Sequence, residues 1–183
     1  MPLRYGGGNS FPVMSTSTSG PVWLQGPVQG VPELLQHVAH ALIECDNDVR
    51  DLLAHLTPDL VWMRPAGAAS VGFHVRHSMG SLDRLFTYAR GEALTEQQLA
   101  VLAGEKALGP DSVAPGQLGP DFSAAIARAV DQLRRTPIDA LLQRREVGRA
   151  KLPSTVMGLV SHAADHTYRH VGQAATTAKV AGR

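Results

Sequence analysis

The hydrophobic residues of this chain recur every three or four positions, the spacing of helices that bury one face. A first helix is predicted over about 31–56, where the apolar positions alternate in steps of four and three and Pro32 suits the first turn. A second is predicted over 71–90, between Ser70, a helix-capping residue type, and Gly91, a helix-terminating one. The first half of the chain therefore predicts two helices joined by a short loop.

The second half predicts two further long helices. One carries the apolar positions of 122–133 and is interrupted at Pro137. The last begins after Pro153, with Ser154 or Thr155 as its N-terminal cap. Its apolar positions continue at helical spacing almost to the end of the chain.

A short helix near 96–103 is predicted between these pairs, opened by a capping box of Thr95 with Gln98. A Gly- and Pro-rich connection over 104–120 follows and is long enough to cross the molecule. Nothing in the sequence predicts a strand. Four long helices with one long late crossover favour an all-α fold, an antiparallel four-helix bundle over 31–183.

The first thirty residues lack this periodicity. They are rich in glycine, proline and serine, which predicts a flexible or extended N-terminal arm over 1–30. The whole chain has 183 residues and a formal net charge of +1, so we expect one globular domain without a strong pull on nucleic acid. A core of this size needs no structural metal.

The apolar runs and the cysteine content predict where in the cell the protein resides. No apolar run approaches the ~20 residues that span a bilayer, and no secretory leader is recognisable, so we expect a cytoplasmic protein that does not insert into membranes. The single cysteine, Cys45, cannot form an internal disulfide. It falls on the apolar face of the first helix, where a small core residue is a better interpretation than a nucleophile.

Histidine is the residue type that points to chemistry, with eight copies in the chain. His162, His166 and His170 stand at successive i, i+4 positions of the last helix, so neighbouring imidazoles can bind one ion from the same side. The outer two lie about 12 Å apart along the axis, too far to share an ion. His166 and His170 are the pair on the apolar side, which leaves His162 at the rim.

Two histidines leave a metal under-coordinated, so a third ligand is expected from another helix. The second helix offers His74 and His77. Periodicity places His74 nearer the apolar face, but a helix that buries two faces weakens that test, so both remain candidates. The other histidines are interpreted as surface residues, namely His37, His40 and His55.

Two segments resemble the DinB-like (DinB/YfiT) family of metal-binding four-helix bundles. The first is Ser-Val-Gly-Phe-His-Val-Arg-His over 70–77, and the second is His-Ala-Ala-Asp-His-Thr-Tyr-Arg-His-Val-Gly-Gln over 162–173. The resemblance covers about 31–180 and leaves out the N-terminal arm. It implies the same bundle fold that the periodicity predicts.

The resemblance implies a metal site made of His77, His166 and His170. It prefers His77 to His74 because the family's ligand in the second helix is followed four residues later by a small residue, here Ser81. Zinc, nickel, iron or manganese would suit three imidazoles. Such a site keeps a coordination position open for water or substrate, as catalytic sites do.

The resemblance implies a metal-dependent enzyme acting on a small molecule, and a homodimer. Relatives include transferases and isomerases that use low-molecular-weight thiols, and hydrolysis is a second chemistry. The sequence predicts no catalytic base; the candidates for residues around the metal or substrate are Tyr88, Arg84, Asp165 and His162. The alternative functions are a non-catalytic, stress-responsive metal-binding dimer and a plain structural bundle.

Overall fold

A computed structural model describes residues 20–107, 109 and 116–182. The helices are α1 (Gln36–Ala54), α2 (Pro58–Trp62), α3 (Val71–Ala89), α4 (Glu96–Gly104), α5 (Leu118–Arg134) and α6 (Val156–Ala181). The described residues also form two strands, β1 (Arg144–Val147) and β2 (Leu152–Thr155). The fold is therefore mostly helical, as the periodicity predicts. In the described part of the chain, no helix is long and apolar enough to cross a membrane.

The four long helices contact one another in a cycle. Helix α3 packs against α6 and α5, and α1 packs against the same two helices. Their apolar faces enclose one core, whose largest fully buried side chains include Phe122, Leu42 and Leu133. The predicted stripes of hydrophobic residues thus meet in the interior.

Helix α1 is shorter than the predicted 31–56. Its first residues form a 3-10 turn, Glu33–Leu35, and the α-helix begins at Gln36. The Gln36 side chain bonds back to the backbone of Val28 and Val31, so the incoming chain is tied across the helix start. This local bonding replaces the first regular turns of helix.

The absence of strands was a wrong prediction. Strands β1 and β2 form an antiparallel hairpin in which Arg144 pairs with Thr155 and Val147 with Leu152. Gly148 and Lys151 adopt positive φ angles of 69° and 49° in its turn. The strands are short and none of their residues is buried, so they lack the apolar alternation that reveals a strand in a sequence.

The predicted arm and crossover fall partly outside the described residues. Residues 1–19, 108 and 110–115 are not described. Within the described part of the arm, Val22 is buried and donates its backbone N–H to Glu44 of α1 at 2.8 Å. The neighbouring Trp23 is 67% exposed. The domain division at residue 30 stays a prediction.

Helix α2 packs on the start of α3 through an aromatic contact. The indole of Trp62 lies so close to Gly72 that a Cβ atom there would be 2.7 Å from the ring. Gly72 is buried, and any larger residue would displace the indole. The indole ring on α2 therefore packs directly against the backbone of α3.

Candidate metal site

The site is built on the facing sides of α3 and α6. Each helix is started by a side-chain cap: Ser70 Oγ accepts from the N–H of Phe73, and Thr155 Oγ1 accepts from that of Gly158. These caps satisfy backbone donors that would otherwise lack a partner at the helix starts. The two helices then run past each other with histidines in contact.

Three imidazoles converge between the helices. Each of His77, His166 and His170 offers a nitrogen, and these three atoms lie within 4.8 Å of one another. The ring centroids of His77 and His170 are 4.5 Å apart, and those of His166 and His170 are 4.6 Å apart. Small adjustments of the three side chains would let these nitrogens coordinate one transition-metal ion.

His74 lies at the edge of this cluster. Its Nδ1 is 3.0 Å from Nδ1 of His170, so one nitrogen donates a hydrogen bond and the other accepts it. His74 is 8% exposed, and its burial agrees with the periodicity that placed it nearer the apolar face than His77. The structure brings both α3 histidines to the cluster, with His77 in the three-nitrogen group and His74 against His170.

His162 is peripheral, as the periodicity indicates. Its ring centroid is 5.9 Å from that of His166, and the residue is exposed. It is not part of the three-nitrogen group found among the described residues. Asp165 is also exposed. Tyr88 lines a separate groove with Gly91 and Arg145.

Glu105 is a site residue that the sequence did not reveal. One of its carboxylate oxygens, Oε2, accepts from Nδ1 of His77 at 2.7 Å, and the other, Oε1, accepts from Nη1 of Arg84 at 2.6 Å. Glu105 follows α4 directly, in a Gly- and Pro-rich connection without periodicity. Neither spacing nor a motif links it to His77, although Arg84 was among the candidates.

The surroundings favour the neutral form of two of these histidines. Burial, followed by the nearby His77, lowers the pKa of His170 to about 4 and also lowers the pKa of His166. Metals bind the neutral imidazole, so no proton has to be displaced from either ring near neutral pH. Burial alone would raise the pKa of Glu105, but its bonds to His77 and Arg84 outweigh that effect and lower it.

One atom of the cluster lacks a protein partner. His166 Nδ1 is buried and makes no hydrogen bond within the described part of the structure. Buried nitrogens are seldom left unsatisfied. The donor set is all imidazole, which suits zinc, nickel or iron better than magnesium and calcium, which prefer oxygen ligands. The residues present therefore fit a divalent transition metal.

A family model, the DinB superfamily, matches residues 41–174. This chain therefore belongs to the DinB superfamily. Among solved structures, it resembles a conserved protein from Enterococcus faecalis, with a TM-score of 0.65 and 21% identity over 83% of this chain and 99% of that one. That likeness concerns the fold. No curated protein matches the chain.

Proposed function

We propose that this protein is a metal-dependent enzyme that binds one divalent ion through His77, His166 and His170. The scaffold would be an antiparallel four-helix bundle with its long crossover between α4 and α5. The observation that supports the proposal is the convergence of three histidine nitrogens from α3 and α6 within 4.8 Å. Membership of the DinB superfamily also supports it.

Three neutral imidazoles would bind the ion without cancelling its charge and leave room for a substrate group beside it. A divalent ion in such a site supplies Lewis-acid chemistry that activates a thiol or a water molecule. We propose a thiol-dependent transferase as the first reaction class and a hydrolase as the second, each acting on a small molecule. Zinc, nickel, iron and manganese are the proposed ions, and a homodimer is the proposed assembly.

Metal content tests the binding part of this proposal. Protein purified without a histidine tag should bind about one equivalent of zinc or nickel. His77→Ala, His166→Ala and His170→Ala should each bind much more weakly, because two imidazoles remain. His55→Ala, which removes an exposed histidine outside the cluster, is the matched control. An apoprotein that neither ion binds would refute the proposal.

Turnover tests the catalytic part. The metal-loaded protein would be assayed with low-molecular-weight thiols and electrophiles, and separately with esters and amides. We expect turnover in one of the two screens and its loss in His77→Ala. Tight metal binding without turnover in either screen would favour the non-catalytic metal-binding alternative.

A further inference from the structure

We propose that Glu105, anchored by Arg84, is a positioning residue that turns the His77 imidazole toward the metal. The inference rests on the proposed metal site and goes beyond its three ligands. It assigns a role to the buried ion pair of Glu105 and Arg84, which lies outside the three-nitrogen group.

The hydrogen bond to Glu105 defines which ring nitrogen of His77 can bind a metal. An ionised carboxylate only accepts, so His77 Nδ1 must carry the proton that bonds to Glu105 Oε2. In the neutral ring, the form that binds a metal, the lone pair is then on Nε2, at the opposite side of the ring. A carboxylate behind a ligating histidine commonly sets its tautomer and orientation in this way.

The carboxylate itself is held in place. Its second oxygen is bound by Arg84, and the two residues are 5% and 9% exposed, respectively. Because both oxygens are engaged, the carboxylate cannot rotate without breaking a short charged hydrogen bond. Phe73 stacks on His77 with ring centroids 5.6 Å apart and planes within 5° of parallel. The imidazole is thus held at its Nδ1 edge and on one face.

Gly80 makes room for this arrangement. A Cβ atom at this position of α3 would lie 2.6 Å from Glu105 Oε1 and 2.9 Å from Arg84 Nη1. Both distances are too short for a carbon contact, so a methyl group would force the Glu105–Arg84 pair to shift. A glycine inside a helix otherwise weakens it. The space at Gly80 is occupied by the two groups that support His77.

Glu105→Gln tests the role of the carboxylate. The amide of glutamine has an oxygen at only one of the two carboxylate positions, and the NH2 group at the other cannot accept from its partner, His77 or Arg84. We expect the Kd for zinc, measured by competition with a chelating dye, to rise about 10- to 100-fold. The visible spectrum of the Co²⁺-loaded protein should shift as the ligand geometry changes. Glu92→Gln, which removes the carboxylate of the exposed pair with Arg90, is the matched control and should leave both unchanged.

Gly80→Ala tests the same role without altering any polar group. Helix propensity alone would stabilise α3, whereas displacement of Glu105 should weaken zinc binding. The control is Gly172→Ala in α6, where a Cβ atom would meet nothing within 4 Å. If the Gly80→Ala apoprotein is folded but binds zinc more weakly, while Gly172→Ala binds zinc normally, the loss comes from the position of Glu105 and not from a general loss of stability. This variant also keeps the test valid if Glu105→Gln does not fold.

The outcomes distinguish the two proposals. If the wild-type protein binds no zinc, or if His77→Ala binds it as tightly as wild type, the metal site itself is refuted. If His77→Ala loses zinc while Glu105→Gln or Gly80→Ala, when folded, binds it as tightly as wild type, the metal site survives and the positioning role is overturned.

Discussion

Cys45 illustrates how burial removes reactivity from a single side chain. The residue is fully buried on α1. Burial, followed by the neighbouring acids Asp48, Glu44 and Asp46, raises the pKa of its thiol well above the ordinary value. The thiolate is the reactive form, so this cysteine is a core residue rather than a nucleophile.

We therefore expect the folded protein to resist thiol reagents. Ellman's reagent should label Cys45 slowly in native buffer and completely in concentrated urea, because only unfolding exposes and ionises the thiol. The measurement is the absorbance released per chain over time. Rapid stoichiometric labelling of the native protein would contradict the burial of this residue.

The site residues differ in how far the sequence reveals them. His166 and His170 are predicted by i, i+4 spacing on an amphipathic helix, since that spacing alone puts two imidazoles side by side. The α3 partner needs the family resemblance, because periodicity measures burial and His74 is the more buried of the two. Glu105 reaches His77 only through tertiary packing, which leaves no local pattern.

At the level of elements, side-chain caps encode the starts of α3, α4 and α6. The sequence left Ser154 and Thr155 as alternative caps of the last helix, and Thr155 is the residue whose side chain accepts from Gly158 N–H. The Ser154 hydroxyl instead lies 3.5 Å from the carbonyl oxygen of Thr155. The capping box of Thr95 with Gln98 is confirmed on α4.

These two hydroxyls give a matched pair of substitutions. Thr155→Ala should lower the free energy of unfolding by about 1 kcal/mol, because the N–H of Gly158 loses its partner at a helix start. Ser154→Ala should change it by less than about 0.5 kcal/mol. Urea unfolding followed by circular dichroism measures both. Equal losses in the two variants would argue against Thr155 as the cap.

The hairpin shows where pattern-based prediction of elements stops. Arg144, Arg145 and Glu146 carry no apolar alternation, and Pro153 stands within β2. A proline is tolerated there because, among the residues that the structure describes, the sheet has two strands and each has an edge without a strand partner. The pairing depends on the turn between the strands and on packing against α3, neither of which the periodicity records.

For the whole molecule, the four long helices predicted from the sequence are present because each apolar stripe is long and faces a common interior. The five-residue α2 is a correction, because it lies in the loop predicted to join the first two helices. The course of the chain between the long helices is less predictable from the sequence. The 104–120 connection contains Glu105 and also the first turn of α5, which begins at Leu118 rather than after Pro120. Proline fits the first turn of a helix, so Pro120 does not mark a boundary there.

Acid should destabilise the metal-free protein. In the unfolded chain a histidine has its ordinary pKa of about 6.5, whereas the folded pKa of His170 is about 4. Between these values the unfolded chain binds a proton that the folded chain does not. The stabilising effect is therefore fully present above about pH 6.5 and is lost as the pH falls toward 4.

Urea titrations at several pH values in the presence of a chelator measure this dependence. His170→Gln should show a shallower loss of stability across the same range, because it removes the titrating group. His37→Gln, a change at an exposed histidine, should follow the wild type. Identical slopes in wild type and His170→Gln would contradict a lowered pKa at His170.

The contact of Trp62 with Gly72 gives this protein an intrinsic optical reporter. The chain has two tryptophans, and Trp23 is already 67% exposed. A change in fluorescence emission on folding or ligand addition should therefore come mainly from Trp62, whose indole rests on the helix that carries His74 and His77. The junction of α2 and α3 can thus be followed in solution without attaching a dye.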